Sequence, residues 1–173
     1  MKTVVSVTFL MAAVSGLFLC PPAGVAGEES VFGKELPNAV TFEEGLVGGG
    51  TPTEKALRIA SQNGYKTVID VRTPAEGTAA EKALAKKYGL RYVNIPTTAD
   101  NLSQSQADQL YSVLDKKGAK PAILHCANGN RAAAVWAIYR KVYRGASTEE
   151  ILTEASQKGV SKNSKGSVHV TFG

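Results

Sequence analysis

The sequence has little cysteine and little histidine, and this scarcity limits the chemistry open to it. Its 173 residues include two cysteines, Cys20 and Cys126, and two histidines, His125 and His169. A small domain held by several disulfide bonds needs more cysteines, and a zinc site needs a larger set of cysteine and histidine ligands. The sequence therefore indicates neither a disulfide scaffold nor a metal site, and we expect no cofactor.

Beyond residue 26, the sequence has no apolar run long enough to cross a bilayer. At the start, a basic residue precedes the largely apolar stretch from Val4 to Leu19, and small residues continue to Ala26. This order is typical of a cleavable signal peptide, so we expect residues 1–26 to be removed and the protein to be periplasmic or secreted. Without that segment, stable membrane insertion is not expected. A lipoprotein anchor at Cys20 and an uncleaved N-terminal anchor are the alternatives.

The sequence also lacks a strong excess of either charge. Lysine and arginine number 20 against 15 acidic residues, which gives a net charge of +5. This mild excess suits a small anionic molecule, and it is too weak to indicate nucleic-acid binding. Nothing in the composition identifies a partner protein.

Short apolar runs alternate with amphipathic segments along the chain, and glycine or proline separates them. This alternation predicts an α/β protein with a mainly parallel central sheet flanked by helices. We expect a loose lead-in at residues 27–40, one domain at 41–156 and a flexible tail at 157–173. A capping-box pattern that begins at Thr51 predicts a helix with Thr51 as its N-cap, ending near Asn63.

The most informative segment runs from His125 to Arg131 and joins an apolar strand to a helix. A helix N-terminus offers unpaired N–H groups and a partial positive charge, which bind anions and favour the thiolate form of a cysteine. Cys126 is the only cysteine left after the expected cleavage, so it is a candidate nucleophile, and Arg131 supplies a planar donor fork for an oxyanion. The predicted anion-binding loop between them is Ala127, Asn128, Gly129 and Asn130.

Two further candidates follow neighbouring predicted strands. Arg72 comes after the strand 67–71, and Asp100 comes after the strand 91–95. Because ligands of open parallel sheets bind beyond the carboxyl ends of the strands, both residues are expected near Cys126. Arg72 either holds the loop through a salt bridge, adds charge to the cleft or is a surface arginine. On the residues alone, Asp100 is a turn or N-cap carboxylate.

Three segments resemble a known bacterial family: Gly45–Thr53, Lys66–Arg72 and His125–Arg131. From about Asn38 to Ala155 the chain resembles the phosphatase-like domain of beta-lactamase-hydrolase-like proteins. That domain of unknown function is a distant relative of protein tyrosine and dual-specificity phosphatases. The resemblance implies a protein tyrosine phosphatase-like fold.

The same resemblance implies a mechanism and a role for each residue. The thiolate of Cys126 attacks phosphorus, while Arg131 and the loop amides bind the phosphate oxygens. Asp100 protonates the leaving group, and His125 shapes the loop without moving a proton. The result is hydrolysis of a phosphate monoester through a covalent cysteine intermediate.

The loop is one residue shorter than that of those phosphatases. Four residues separate Cys126 from Arg131, where the phosphatases have five. Rhodanese-type sulfurtransferases use the shorter loop and carry a persulfide on the cysteine, and the segment Asp70–Glu76 also resembles a rhodanese signature. The sequence favours a phosphatase-like hydrolase and leaves two alternatives, a sulfurtransferase and a non-catalytic anion-binding module. The small anionic substrate implied by the two resemblances is a phosphate ester or a sulfane-sulfur donor.

Overall fold

The structure, a computed structural model, describes residues 30–157. The predicted signal peptide lies outside the described residues, and so does nearly all of the predicted tail. Within the described range, no helix is both long enough and apolar enough to cross a membrane.

A five-stranded sheet forms the centre of the domain. Its spatial order is β1-β2-β5-β3-β4. Strand β1 pairs antiparallel with β2, and the pairs β2–β5, β5–β3 and β3–β4 are parallel. The prediction of a mainly parallel sheet is confirmed, although the edge strand β1 is not among the predicted elements. The strands are β1 (Val40–Glu43), β2 (Leu46–Gly49), β3 (Thr67–Asp70), β4 (Arg91–Asn94) and β5 (Ala122–His125).

Helices cover both faces of the sheet because the central strands are apolar on both sides. In β5, Ile123 belongs to the core cluster shared with α1 and α2, whereas Leu124 belongs to the cluster shared with α3 and α4. Both side chains are fully buried. The helices are α1 (Glu54–Gln62), α2 (Thr78–Lys87), α3 (Gln104–Leu114), α4 (Asn130–Arg144) and α5 (Thr148–Gln157), with 3₁₀ turns at Gly33–Glu35 and Pro74–Glu76.

Part of the lead-in is anchored to the domain. Phe32 and Leu36 are buried in the core cluster on the α1 and α2 side of the sheet. The side-chain amide of Asn38 donates to the carbonyl of Asn128 at 3.0 Å. The expectation of a loose lead-in therefore does not hold at these residues, and Asn38 contacts the predicted anion-binding loop.

The first helix begins two residues later than predicted. The hydroxyl of Thr53 accepts the backbone N–H of Ala56 at 3.1 Å, so Thr53 is the N-cap of α1. The Thr51 side chain instead donates to the carbonyl of Cys126 at 3.3 Å. The predicted cap at Thr51 is wrong because that hydroxyl is engaged by the loop. The predicted end is confirmed, since Asn63 is the C-cap.

Candidate active site

The loop leaves the carboxyl end of the central strand β5 and leads directly into α4. The backbone N–H of Cys126 donates to the carbonyl of Gly49 at 3.2 Å, which fixes the start of the loop to β2. Gly129 has φ +99° and serves as the N-cap of α4, a conformation that side-chain-bearing residues rarely adopt. This glycine lets the chain turn sharply enough to bring the helix N-terminus over the cysteine.

The sulfur of Cys126 lies under this turn. The residue is fully buried. Its Sγ accepts the backbone N–H of Gly129 at 3.1 Å. The Oδ1 of Asn128 lies 3.7 Å from Sγ and accepts the backbone N–H of Asn130 at 3.2 Å. The sulfur therefore lies at the N-terminus of α4, in contact with a backbone amide donor.

The guanidinium of Arg131 is held at the same loop by an ion pair. Its Nη1 and Nη2 donate to the two carboxylate oxygens of Glu76 at 2.9 and 2.6 Å, and Nη1 also donates to the carbonyl of Thr97 at 3.0 Å. The hydrogen bonds to Glu76 raise the pKa of Arg131 against the effect of burial, and the charge of Cys126 raises it further. The guanidinium is therefore oriented and faces the sulfur.

Glu76 is a residue that the sequence reasoning missed. It ends the 3₁₀ turn Pro74–Glu76, where its carboxylate also accepts the N–H and hydroxyl of Thr73. The hydrogen bonds from Arg131 are the main reason that the pKa of Glu76 falls to about 2. The signal was present in the rhodanese-like segment Asp70–Glu76, which contains this residue.

Asp100 lies in an exposed turn after β4. Asn101 closes the turn, because its Oδ1 accepts the N–H of Thr98 at 2.7 Å and its Nδ2 donates to the carbonyl of Pro96. The same segment contributes the Thr97 carbonyl that Arg131 binds. The turn that carries Asp100 therefore borders the arginine, and the general-acid role stays a prediction.

Arg72 and His125 lie behind the loop rather than at its mouth. Arg72 is 6% exposed, which excludes a surface arginine. Its Nη2 pairs with Asp70 at 2.7 Å and with Glu81 at 2.5 Å. His125 is fully buried, and its Nδ1 lies 3.3 Å from the carbonyl of Cys126. Both residues contact groups that hold the loop.

The buried cluster includes three potential metal ligands. Asp70, Glu81 and His125 offer ligand atoms within 4.8 Å of one another. However, the guanidinium of Arg72 already binds both carboxylates. Since this cation supplies the charge that a metal ion would bring, we interpret the cluster as an ion-pair network.

Comparison with known proteins identifies the family of the chain. The PTP-NADK family model, described as a DSP-PTPase phosphatase fused to NAD+ kinase, matches residues 32–171. The chain belongs to this family. The recognition of a distant tyrosine phosphatase-like relationship is thereby confirmed. No curated protein sequence matches the chain significantly.

Several solved structures share the fold of this chain. The chain is similar to TpbA from P. aeruginosa, with 21% identity and a TM-score of 0.62 over 73% of this chain and 77% of that chain. It is also similar to the core catalytic domain of the PP-IP phosphatase SIW14 from S. cerevisiae, solved with citrate, with 14% identity and a TM-score of 0.60 over 75% and 81%. A DUF442 protein from Shewanella putrefaciens CN-32 matches at 18% identity and a TM-score of 0.56, over 72% and 93%. At these identities the likeness establishes the protein tyrosine phosphatase-like fold.

Proposed function

We propose that the protein hydrolyses phosphate monoesters through a phosphocysteine intermediate on Cys126. The observation that carries this proposal is the position of the sulfur. It lies beneath the N-terminus of α4, accepts the Gly129 N–H at 3.1 Å and is faced by Arg131. A nucleophile, an anion-binding helix terminus and a planar cationic fork meet at one point, as a phosphoryl-transfer site requires.

The substrate class follows from the charge of this site and from its structural relatives. A Cys-to-Ser variant of TpbA has been solved in complex with pTyr, and SIW14 is a PP-IP phosphatase. Both ligand classes carry phosphate groups. The loop of this chain offers amide N–H groups and Arg131 to such an anion, so a phosphate monoester is the substrate class we infer.

In the proposed reaction, the Cys126 thiolate attacks phosphorus and the bond from phosphorus to the leaving oxygen breaks. Arg131 and the loop amides bind the equatorial oxygens. Asp100 donates a proton to the leaving oxygen, and the resulting carboxylate then takes a proton from the water that cleaves the phosphocysteine. Glu76 keeps Arg131 in the orientation that this step needs.

The proposal also places this reaction outside the cytoplasm, on the strength of the N-terminal sequence alone. Export predicts that the protein recovered from cells begins at Gly27, after the removal of residues 1–26. Mass spectrometry of the isolated protein tests this. A chain that retains Met1–Ala26 in the cytoplasm would contradict export and leave the chemistry of Cys126 unaffected.

Phosphatase activity is best tested by trapping the intermediate. The purified protein is mixed with an aryl phosphate, quenched in acid and examined by mass spectrometry for a phosphoryl group on Cys126. We expect turnover and a trapped adduct in the wild type and neither in Cys126→Ser. A parallel sample is exposed to thiosulfate to test for sulfurtransferase activity, because the four-residue loop is also that of rhodanese-type sulfurtransferases. A sulfur adduct without aryl phosphate turnover would establish the sulfurtransferase instead.

The role of Asp100 is tested by varying the leaving group. Asp100→Asn should slow the hydrolysis of phenyl phosphate, whose leaving oxygen needs a proton, far more than that of an activated nitroaryl phosphate. Asp115→Asn, at the exposed C-cap of α3, is the matched control and should change neither rate. An equal loss with both substrates would exclude general-acid catalysis by Asp100.

A further inference from the structure

The catalytic loop rests on a buried polar cluster that the proposed reaction does not use directly. Two atoms in it lack a hydrogen-bond partner of acceptable geometry among the described residues, namely Oε1 of Glu81 and Nε2 of His125. They lie 2.7 Å from one another. Burying two polar atoms without hydrogen bonds is unfavourable. The surrounding fold must therefore hold these atoms of Glu81 and His125 in place.

Glu81 is connected to the loop through both of its carboxylate oxygens. On one side, Oε1 faces Nε2 of His125, whose Nδ1 lies 3.3 Å from the carbonyl oxygen of Cys126. On the other side, Oε2 accepts Nη2 of Arg72 at 2.5 Å. Nη1 of the same arginine donates to the hydroxyl of Thr51 at 3.4 Å, and that hydroxyl donates to the same Cys126 carbonyl at 3.3 Å. Two paths of close polar contacts therefore run from one carboxylate to one carbonyl, and the path through Arg72 and Thr51 is hydrogen-bonded throughout.

The carbonyl of Cys126 belongs to the peptide unit whose N–H is that of Ala127, the first amide of the loop. Two donors on the oxygen polarise this unit and strengthen its N–H as a donor to an anion, because hydrogen bonds in a chain reinforce one another. They also fix the plane of the peptide. The cluster can therefore set both the direction and the strength of a loop amide without touching substrate.

The acceptors around His125 determine where its protons lie. A carbonyl oxygen only accepts, so Nδ1 carries a proton. Nε2 faces Oε1 of Glu81, whose other carboxylate oxygen is bound by Arg72. The other groups that face this pair are Asp70, whose Oδ1 lies 3.9 Å from Nε2, and Tyr92, whose hydroxyl donates to Asp70. The guanidinium of Arg72 binds both carboxylates.

We propose that Glu81 is a positioning residue for the catalytic loop, acting on the carbonyl of Cys126 through His125 on one path and through Arg72 and Thr51 on the other. This inference rests on the proposed function only in taking Cys126 as the reactive thiolate. Glu81 itself touches neither the sulfur nor the substrate site.

The reactivity of the thiolate tests this role without any phosphatase assay. The rate of alkylation of Cys126 by iodoacetamide is measured against pH, and thermal unfolding shows that each variant is folded. Glu81→Gln should move the midpoint upward by about one pH unit, which is about a tenfold loss of rate below the midpoint. Glu54→Gln, which removes an exposed carboxylate from α1, is the control and should not move it.

A double variant separates the proposed positioning of the loop by Glu81 from a general structural effect of replacing this residue. Thr51→Val cuts one path and His125→Asn cuts the other. If Glu81 acts through these paths, adding Glu81→Gln to the double variant should produce no further shift in the midpoint. A shift equal to that in the wild-type background would overturn the proposal, and so would an unchanged midpoint for folded Glu81→Gln.

The wild-type protein offers a test that no folding defect can obscure. The chain has two histidines, so ¹⁵N NMR of the imidazole nitrogens gives two sets of signals, with His169 as the internal reference. We expect Nδ1 of His125 to carry a proton, because it faces the carbonyl oxygen of Cys126. A bare Nδ1 would overturn the proposal, whatever the enzyme hydrolyses.

Discussion

Two arginines bound to carboxylates lie on opposite sides of the catalytic loop, and their surroundings differ. Arg72 is behind the loop, with 8% of its side chain exposed, and Arg131 is at the mouth, with 21% exposed. Every guanidinium nitrogen of Arg72 donates to a protein oxygen, from Asp70, Glu81, Thr51 or Glu76. By contrast, Arg131 donates to protein oxygens through its two Nη atoms, and its charge interacts with Cys126.

The comparison shows how one residue type serves two roles. A guanidinium has five N–H groups in a fixed fork. When all of its nitrogens are bound by buried protein oxygens, the arginine orders the structure around it. When a single carboxylate holds it from one side, donors remain for an external anion. Burial and the number of carboxylates therefore distinguish the arginine behind the loop from the one that we propose binds substrate.

Replacing Arg72 should have the largest effect, and on stability. Arg72→Leu leaves the carboxylates of Asp70 and Glu81 buried without the guanidinium that binds both of them. Removing one partner from a buried ion pair destabilises a protein by about 3–5 kcal/mol. Urea unfolding of the wild type and variant measures this loss. A loss below about 1 kcal/mol would mean that Arg72 is not the cation that the cluster depends on.

Replacing Arg131 should affect activity far more than stability. Arg131→Lys keeps the charge and loses the planar fork, so we expect kcat/KM for an aryl phosphate to fall by about a hundredfold. Because the residue is partly exposed, the free energy of unfolding should change by about 1 kcal/mol or less. Arg58→Lys on α1 is the matched control. An unchanged kcat/KM in Arg131→Lys would remove the arginine from phosphate binding.

Glu76 should contribute to stability in a way that depends on pH. Its pKa in the folded protein is about 2, below the ordinary value of 4.5, chiefly because Arg131 donates to it. The stabilisation is therefore complete above pH 4.5 and is lost as the pH falls toward 2. Glu76→Gln should cost about 1 kcal/mol at pH 7, given the partial exposure of the pair.

Unfolding of both proteins across the acid range checks this prediction. The difference in free energy of unfolding between the wild type and Glu76→Gln should narrow from pH 5 to pH 2. Glu44→Gln, which changes an exposed glutamate, serves as the control for net charge. A difference that stays constant over this range would show that the pairing of Glu76 with Arg131 is not its source.

Sequence reasoning singled out Cys126 and Arg131 but missed Glu76 and Glu81, the carboxylates that bind the two arginines. Cys126 and Arg131 are five residues apart, so a strand, a loop and a helix start suffice to bring them together. The partners Glu76 and Glu81 lie far from the loop in sequence, and only the sheet order places them beside it. Glu81 also lies on a helix, where a charged residue ordinarily indicates an exposed position. Local sequence patterns do not show that such a residue is paired and buried.

The two threonines before α1 give the comparison with the smallest expected effect, because one caps the helix and the other contacts the loop. Thr53 caps α1 and donates to Glu35, whereas Thr51 lies between Arg72 and the carbonyl of Cys126. Thr53→Ala should cost about 1 kcal/mol of stability through the lost cap and leave the alkylation of Cys126 unchanged. Thr51→Val keeps the shape of the side chain, so it should change stability less and slow alkylation near neutral pH. If both variants affected stability and alkylation in parallel, the loop and the helix start would be one structural unit and Thr51 would have no separate effect on the thiolate.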